Sequence, residues 1–459
     1  MIRRVLILGA TGDLTLRYLL PALARLREAG KLPEGFGIAC LGRDDRDTEG
    51  YRVLAKEWLA CHAADVPEEV RSGPAKALTY HRADVTDPVR VRAVLGEDEE
   101  PVVAYLALPP SVFVPTIEAL KGAGPPKGSR VVVEKPFGED LESARRLNRL
   151  LHEAFPEETV YRIDHFLGLQ TVQNVLGLRF ANRVFEPVWN RDHVERVEIV
   201  WDETLALEGR AGYYDGAGAL KDMVQNHLLQ LLCLVGMEPP ATLGERDLRD
   251  RKVELLRAVR RLSPEEVERL SVRARYAAGR VGNREIPAYA EEEGVDPDRE
   301  TEAFARVTLF VDNPRWSGVP FVLRTGKALG RKRAEISVHF KPAPRFAFGQ
   351  KTEPRPNVLR LGLDPDRIAL GVEINGPGDP FELEHVELGA VLAPQEVPAY
   401  GRLLLGVLEG DPTLSIRDDE AEESWRIVEP ILQAWNEGVV PLLEYPAGSD
   451  GPGDAKARP

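Results

Sequence analysis

The chain has 459 residues, 43% of them hydrophobic and 29% charged, with a formal net charge of −14. That length exceeds one ordinary core, so two domains are expected. The acidic balance argues against a nucleic-acid surface, and no apolar run reaches the roughly 18 residues of a membrane span. An anionic small molecule is still compatible with it, because a local basic pocket can sit inside an acidic protein. Cys40, Cys61 and Cys233 are far apart, odd in number and without metal-ligand spacing. They predict a cytoplasmic protein with reduced thiols packed as small hydrophobes, and no metal site.

The run Arg4–Leu8 predicts a first strand that ends at Gly9. It is too short for the apolar stretch of a secretory signal. Helical periodicity over Leu16–Glu28 stops at Gly30, and further apolar runs follow at Gly37–Leu41, Val102–Leu108, Arg130–Val133 and Val160–Ile163, with helical stretches between them. Such alternation predicts a parallel sheet covered on both faces, a Rossmann-like α/β domain over residues 1–165. The pattern then changes. Strands are expected at Val194–Trp201, Ala303–Val311, Val319–Arg324, Glu335–Phe340, Asn357–Leu363 and Arg367–Ile374. One long buried helix is expected over Gly218–Val235, and two more over Ala399–Glu409 and Asp419–Trp435. Short turns between successive strands predict a large, mainly antiparallel sheet, hence an α+β domain over 166–447. The Gly-, Pro- and Asp-rich tail, 448–459, is expected to be disordered.

Gly9-Ala10-Thr11-Gly12-Asp13-Leu14 joins the first strand to the first helix. Glycines allow a tight turn and close approach of a pyrophosphate, and the helix N-terminus supplies N–H groups and a positive dipole end. The pattern is G-x-x-G rather than the full dinucleotide fingerprint, and a plain turn is the alternative. Arg43 follows the second strand, where an arginine accommodates the 2′-phosphate of NADP; Asp44 beside it opposes that phosphate, so NAD stays possible. Leu108 and Pro109, ending a later strand, fix backbone where a nicotinamide would lie. Lys135, in Glu134-Lys135-Pro136-Phe137-Gly138, can serve sugar or cofactor or be a solvated turn residue, and the bond to Pro136 is a candidate cis peptide.

Asp164 and His165 stand just past the strand Val160–Ile163, at the edge where such sheets hold ligands. Asp222 and His227 interrupt an otherwise apolar helix. Oxidising a carbinol needs a base for the hydroxyl proton while the carbon gives up a hydride. An imidazole suits that base, and a carboxylate can orient it and stabilise its cation. His227 with Asp164 as its partner satisfies this requirement. Spaced five residues apart, Asp222 and His227 would point about 140° apart on an ideal α-helix. Glu203 and Lys221 can bond sugar hydroxyls. The cluster Arg324, Lys327, Arg331, Lys332 and Arg333 can hold a phosphate or form a solvated loop.

These pieces, in this order, resemble the glucose-6-phosphate dehydrogenase family: GATGDL from Gly9, YLALPPSVF from Tyr105, EKPFG from Glu134, RIDHFLG from Arg162, VQNVLGLRFAN from Val172, EGRAGYYDGAGALKDMVQNHLLQLLCLVGMEPP from Glu208, RTGKAL from Arg324 and YPAGS from Tyr445. The resemblance implies a Rossmann-like domain followed by an α+β domain with a large antiparallel sheet, and a homodimer or homotetramer. It implies oxidation of glucose 6-phosphate by NADP to 6-phosphogluconolactone in the pentose phosphate pathway, without a metal. It casts His227 as general base and Asp164 as its partner. Lys135, Glu203, Asp222 and Lys327 become sugar-binding residues, and His165 and Lys332 phosphate-binding ones. Gly9, Thr11, Gly12, Asp13, Leu14 and Arg43 become cofactor-binding.

The motif departs from the family's RIDHYLGKE at two places, where Phe166 and Leu169 stand for a tyrosine and a lysine that help bind phosphate. Each lost bond to a charged group is worth about 1.5–3 kcal/mol. Three readings therefore follow: glucose-6-phosphate oxidation with Arg331, Lys332 or Arg333 compensating; a paralogue for another sugar or amino-sugar; and a non-catalytic sugar-phosphate or nucleotide-binding regulator. A deazaflavin or other hydride acceptor is a further option that residues alone leave open.

Overall fold

Six parallel strands carry the first part of the chain: β1 (Arg4–Leu8), β2 (Gly37–Gly42), β3 (Leu78–Arg82), β4 (Val103–Leu106), β5 (Arg130–Glu134) and β6 (Val160–Ile163), in the order β3-β2-β1-β4-β5-β6. The computed structural model describes residues 1–96, 99–343, 354–378 and 382–453. The runs from β1, β2, β4, β5 and β6 match the sequence reading. β3 escaped it because Leu78-Thr79-Tyr80-His81-Arg82 is an edge strand with polar, partly exposed positions. The central strands are buried on both faces, and their Val-, Ile- and Leu-rich runs are what a sheet covered by helices requires.

Contacts divide the chain into two units along boundaries that are not linear in sequence. Unit 1 holds Met1–Leu169, Pro240–Asp250 and Gln395–Glu422; unit 2 holds Gln170–Pro239, Arg251–Pro394 and Glu423–Pro459. A division at 165/166 thus misplaces the helix Ala399–Glu409. Its Leu403, Leu404, Val407 and Leu408 pack into the same core as Val5, Ile7 and Leu23, and the Leu408 carbonyl accepts a 2.8 Å bond from Ile2 N–H. An amphipathic helix shows that it has an apolar face, not which sheet will cover it.

Unit 2 is built on a nine-stranded sheet. Its strands are β7 (Val194–Asp202), β8 (Ser271–Ala277), β11 (Phe304–Phe310), β12 (Pro320–Gly326), β13 (Arg333–Phe340), β14 (Val358–Asp364), β15 (Asp366–Asn375), β16 (Leu383–Val391) and β17 (Leu442–Pro446); β9 (Gly279–Val281) and β10 (Arg284–Ile286) form a separate hairpin. The large sheet runs β16-β15-β14-β13-β7-β12-β11-β8-β17, antiparallel except where β12 meets β7 and β17 meets β8. Both exceptions join strands separated by a long excursion, which a parallel pair needs.

Two further expectations change, and one is met. Cys61 is exposed, because it lies on the outer side of the helix Thr48–His62, while Cys40 and Cys233 are buried. The helix expected over Gly218–Val235 is present over Leu220–Gly236, and Gly218, whose φ is 71°, separates it from the helix that begins at Ala211. The tail is ordered as far as it is described. Gly448 N–H bonds the Ala328 carbonyl at 2.8 Å, and the Ser449 and Asp450 carbonyls accept Gly330 N–H and an Arg324 guanidinium N–H. Residues 454–459 lie outside the described residues. No helix among the described residues is long and apolar enough to cross a membrane.

Candidate active site

Because the strands of unit 1 are parallel, their carboxyl ends share one edge. β1 delivers Gly9, β2 delivers Arg43, β4 delivers Leu108 and Pro109, β5 delivers Lys135, and β6 delivers Asp164 and His165. Strand order reverses between β1 and β4, the position where open α/β sheets take ligands. Gly9 has φ 105°, and a Cβ there would overlap the Ala107 carbonyl oxygen. Thr15 Oγ1 donates to the Gly9 carbonyl at 2.8 Å and fixes the turn. The next helix starts at Asp13 and runs through a π-turn over Thr15–Leu19. First-turn N–H groups of a helix have no partner within it. Thr11, Gly12, Asp13 and Leu14 line this start, and a glycine cradle on a helix N-terminus fits a dinucleotide pyrophosphate.

Arg43 is exposed, with its guanidinium 4.0 Å from the Asp84 carboxylate. The Asp84 carboxyl is held below its usual range by hydrogen bonds from Thr86 first, and by Arg43 to a lesser degree. The Asp44 backbone carbonyl accepts a 3.0 Å bond from the Tyr80 hydroxyl. The Lys135–Pro136 peptide bond is cis.

Asp164 is fully buried, and its Oδ1 accepts the Phe166 N–H at 3.0 Å. Phe166 is buried with its ring edge-on to His165, at 5.0 Å between centroids. Two residues here were not expected. Tyr400, from the helix Ala399–Glu409, stacks on His165 at 5.6 Å and 8°. Glu134, at the end of β5, accepts a hydrogen bond from the buried Tyr105 hydroxyl. Burial pushes the Glu134 carboxyl up to about 7, with Asp164 adding to the effect while the Tyr105 bond and Lys135 oppose it. A tyrosine inside the aliphatic strand β4 was a signal that some acceptor must lie beside it. Tyr400 gave none, being 235 residues from His165 in sequence.

In unit 2 the helix carrying Asp222 and His227 is a π-helix over Leu220–Leu228, continuing as an α-helix over Leu229–Gly236. Its hydrogen bonds close from i to i+5, so residues five apart lie one turn apart on one side. The angle inferred for an ideal α-helix is thereby corrected: Asp222 and His227 share a face. Asn226 supports the wide turn, since its Nδ2 donates to the Lys221 carbonyl at 2.9 Å. His227 is buried. Asp222 is hydrogen-bonded to Tyr213 on the preceding helix, and burial, then the Asp222 charge, push that phenol upward.

Glu203 and Lys327 are joined. The parallel register of β7 and β12 sets Asp202 beside Gly326, and Glu203 N–H bonds the Gly326 carbonyl at 2.8 Å. The Lys327 ammonium lies 2.5 Å from the Glu203 carboxylate and 5.0 Å from the Tyr214 ring centroid. Each member of the basic run after β12 has a carboxylate neighbour, and Arg331 and Lys332 remain exposed beside theirs. Arg331 lies 3.7 Å from Asp450, Lys332 is paired with Asp364, and Arg333 lies 2.8 Å from Glu335.

Comparison with known proteins covers nearly the whole chain. The family model "Glucose-6-phosphate dehydrogenase, NAD binding domain" matches residues 6–174, and "Glucose-6-phosphate dehydrogenase, C-terminal domain" matches 176–458. The chain is 42% identical over 475 aligned residues to glucose-6-phosphate 1-dehydrogenase of Treponema pallidum, covering 98% of this chain and 92% of the relative. The solved structure of glucose-6-phosphate 1-dehydrogenase from Mycobacterium avium is similar at a TM-score of 0.86 and 35% identity, over 99% of this chain and 96% of that one. A glucose-6-phosphate dehydrogenase solved in complex with glucose 6-phosphate is similar at a TM-score of 0.89 and 31% identity, over 98% and 96%.

Proposed function

Because the chain belongs to the glucose-6-phosphate dehydrogenase family, we propose that His227 is the general base for oxidation of the C1 hydroxyl of glucose 6-phosphate and that Asp164 is its carboxylate partner. The product is 6-phosphogluconolactone. A bound pyridine nucleotide supplies the acceptor for the C1 hydride. His227 takes the hydroxyl proton as the C1–O bond becomes a carbonyl, and Asp164 holds the imidazole in one orientation and stabilises its cation. Lys135, Glu203, Asp222 and Lys327 hold the sugar hydroxyls. His165 and Lys332 bind the phosphate. Gly9, Thr11, Gly12, Asp13 and Leu14 hold the pyrophosphate, Leu108 and Pro109 bound the nicotinamide side, and Lys135 faces both molecules.

The observation that carries this reading is the single carboxyl edge of unit 1, where the Gly9 turn, Lys135, Asp164 and His165 follow strands of one parallel sheet. NADP is the preferred acceptor on the strength of Arg43, and NAD is the weaker one. The enzyme is a cytoplasmic homodimer or homotetramer. Ile374 and Leu388, on one face of β15 and β16, offer an exposed apolar surface for its assembly.

Phe166 and Leu169 bring no hydroxyl or charge to the phosphate, so affinity for the 6-phosphate rests on fewer groups. One steady-state experiment tests the assignment: glucose 6-phosphate and glucose, each with NADP and with NAD. The expected kcat/KM for glucose 6-phosphate exceeds that for glucose by about a hundredfold or more, as one or two charge-assisted bonds require. NADP is expected to exceed NAD. Equal values for the two sugars contradict the phosphate assignment, and an excess for NAD contradicts the role of Arg43.

A further inference from the structure

Glu302 lies outside every motif that pointed to the site, two residues before β11. It is 8% exposed, and it holds the break between two helices from both its backbone and its side chain. Its carbonyl accepts Ala219 N–H at 3.0 Å, and its Oε1 accepts Leu220 N–H at 2.9 Å. These are the first N–H groups of the π-helix that carries Asp222 and His227. A carboxylate placed there satisfies a donor the helix leaves open and complements its positive end. Gly218 belongs to the same device, since a Cβ on it would overlap the Glu302 carboxylate. The neighbours of Glu302 extend the clamp. Thr301 Oγ1 donates to the Asp215 carbonyl at 2.7 Å, and the Ala303 carbonyl accepts Lys327 N–H at 3.0 Å. Three consecutive residues thus tie together the helix before the break, the helix after it, and the loop bearing Lys327.

We propose that Glu302 is a positioning residue for sugar recognition, setting the start of the Leu220–Leu228 helix and with it the placement of Asp222 relative to Lys327. The proposal rests on the assignment of Asp222 and Lys327 as sugar-binding residues. Glu302 touches neither substrate nor cofactor. Its influence is graded along the helix: Asp222 is two residues from the clamped N–H and His227 is seven. Loss of the clamp should therefore weaken sugar binding more than it slows turnover.

The test is steady-state kinetics of E302A and E302Q with glucose 6-phosphate and NADP. E302A is expected to raise the KM for the sugar about tenfold, as loss of a charge-assisted hydrogen bond requires. Its kcat should stay within about threefold, and its KM for NADP should not change. E302Q keeps an oxygen for Leu220 N–H and should restore most of the sugar KM. If E302A does not accumulate as folded protein, E302D carries the same expectation, because its carboxylate is one methylene short. An unchanged sugar KM, an E302Q as impaired as E302A, or an equal rise in both KM values overturns the proposal. A wild-type chain that turns over no sugar phosphate overturns the functional reading and this proposal with it, whereas an unchanged KM in E302A leaves that reading intact.

Discussion

Each unit opens one of its central helices with a positive-φ glycine ahead of a π-turn, and each fills the space beside that glycine differently. In unit 1 Gly9, at φ 105°, leads into the π-turn Thr15–Leu19 and is walled by the Ala107 carbonyl. In unit 2 Gly218, at φ 71°, leads into the π-helix Leu220–Leu228 and is walled by the Glu302 carboxylate. One helix start faces the carboxyl edge of the parallel sheet, where we place the anionic cofactor. The other is closed by an anion that the chain itself supplies. The difference teaches that the same backbone device makes a ligand site or a rigid joint, according to where the nearest anion comes from.

The comparison can be broken at either glycine. G9A is expected to have the larger effect, because the obstruction is backbone that has nowhere to go. Affinity for NADPH should fall about a hundredfold or more, since strain at such φ values alone is of order 1–3 kcal/mol before any overlap is counted. Fluorescence titration of NADPH measures it, and binding within threefold of wild type contradicts the assignment of the Gly9 turn. G218A meets the end of a flexible side chain instead, and its strain comes from a φ of 71° with a ψ of 170°, a region essentially reserved for glycine, at a cost of order 1–3 kcal/mol. A comparable loss of stability is expected in denaturant unfolding. Its effect should be less than additive with E302A, because removing the carboxylate removes the overlap.

The smallest effect sharpens the comparison through pH. Burial pushes the Glu302 carboxyl up to about 7, and Leu220 N–H, Arg273 and Lys221 only partly offset it. Tyr214 and Tyr289 also face this charge, which pushes both phenols upward in addition to their own burial. A folded-state value above the unfolded one means that the folded chain binds the proton more tightly. Below the unfolded value both states are protonated and the group contributes nothing; above about 7 the folded chain carries the charge at a cost. The stability of wild type relative to E302Q should therefore fall as pH rises from about 5 to about 8, by about 1–3 kcal/mol. Parallel urea midpoints for the two proteins across that range would contradict the burial of this charge.

The sequence made unit 1 legible because its strands are apolar runs that end in punctuation, such as Gly9 after Leu8 and the Lys135–Pro136 pair after Glu134. Candidate residues at those ends fell on one edge once the strands proved parallel. Other features were illegible for physical reasons. The helix Ala399–Glu409 shows an apolar face that either sheet could cover, and only long-range packing places it in unit 1. The wide turn of the Leu220–Leu228 helix leaves no mark on an apolar pattern, so the angle between Asp222 and His227 could not be read from their spacing. Glu302 looks like a solvated acid between Thr301 and Ala303 until the break at Gly218 is seen against it. Cys61 could not be told from its two buried counterparts, since a cysteine does not reveal which side of its helix faces inward.

The role of His227 is tested most directly by kcat/KM for glucose 6-phosphate in H227N, with NADP binding measured alongside. The expected result is a fall of about a thousandfold or more with NADP affinity unchanged, the range general-base catalysis supplies. Activity within tenfold of wild type would contradict the assignment of His227 as the base.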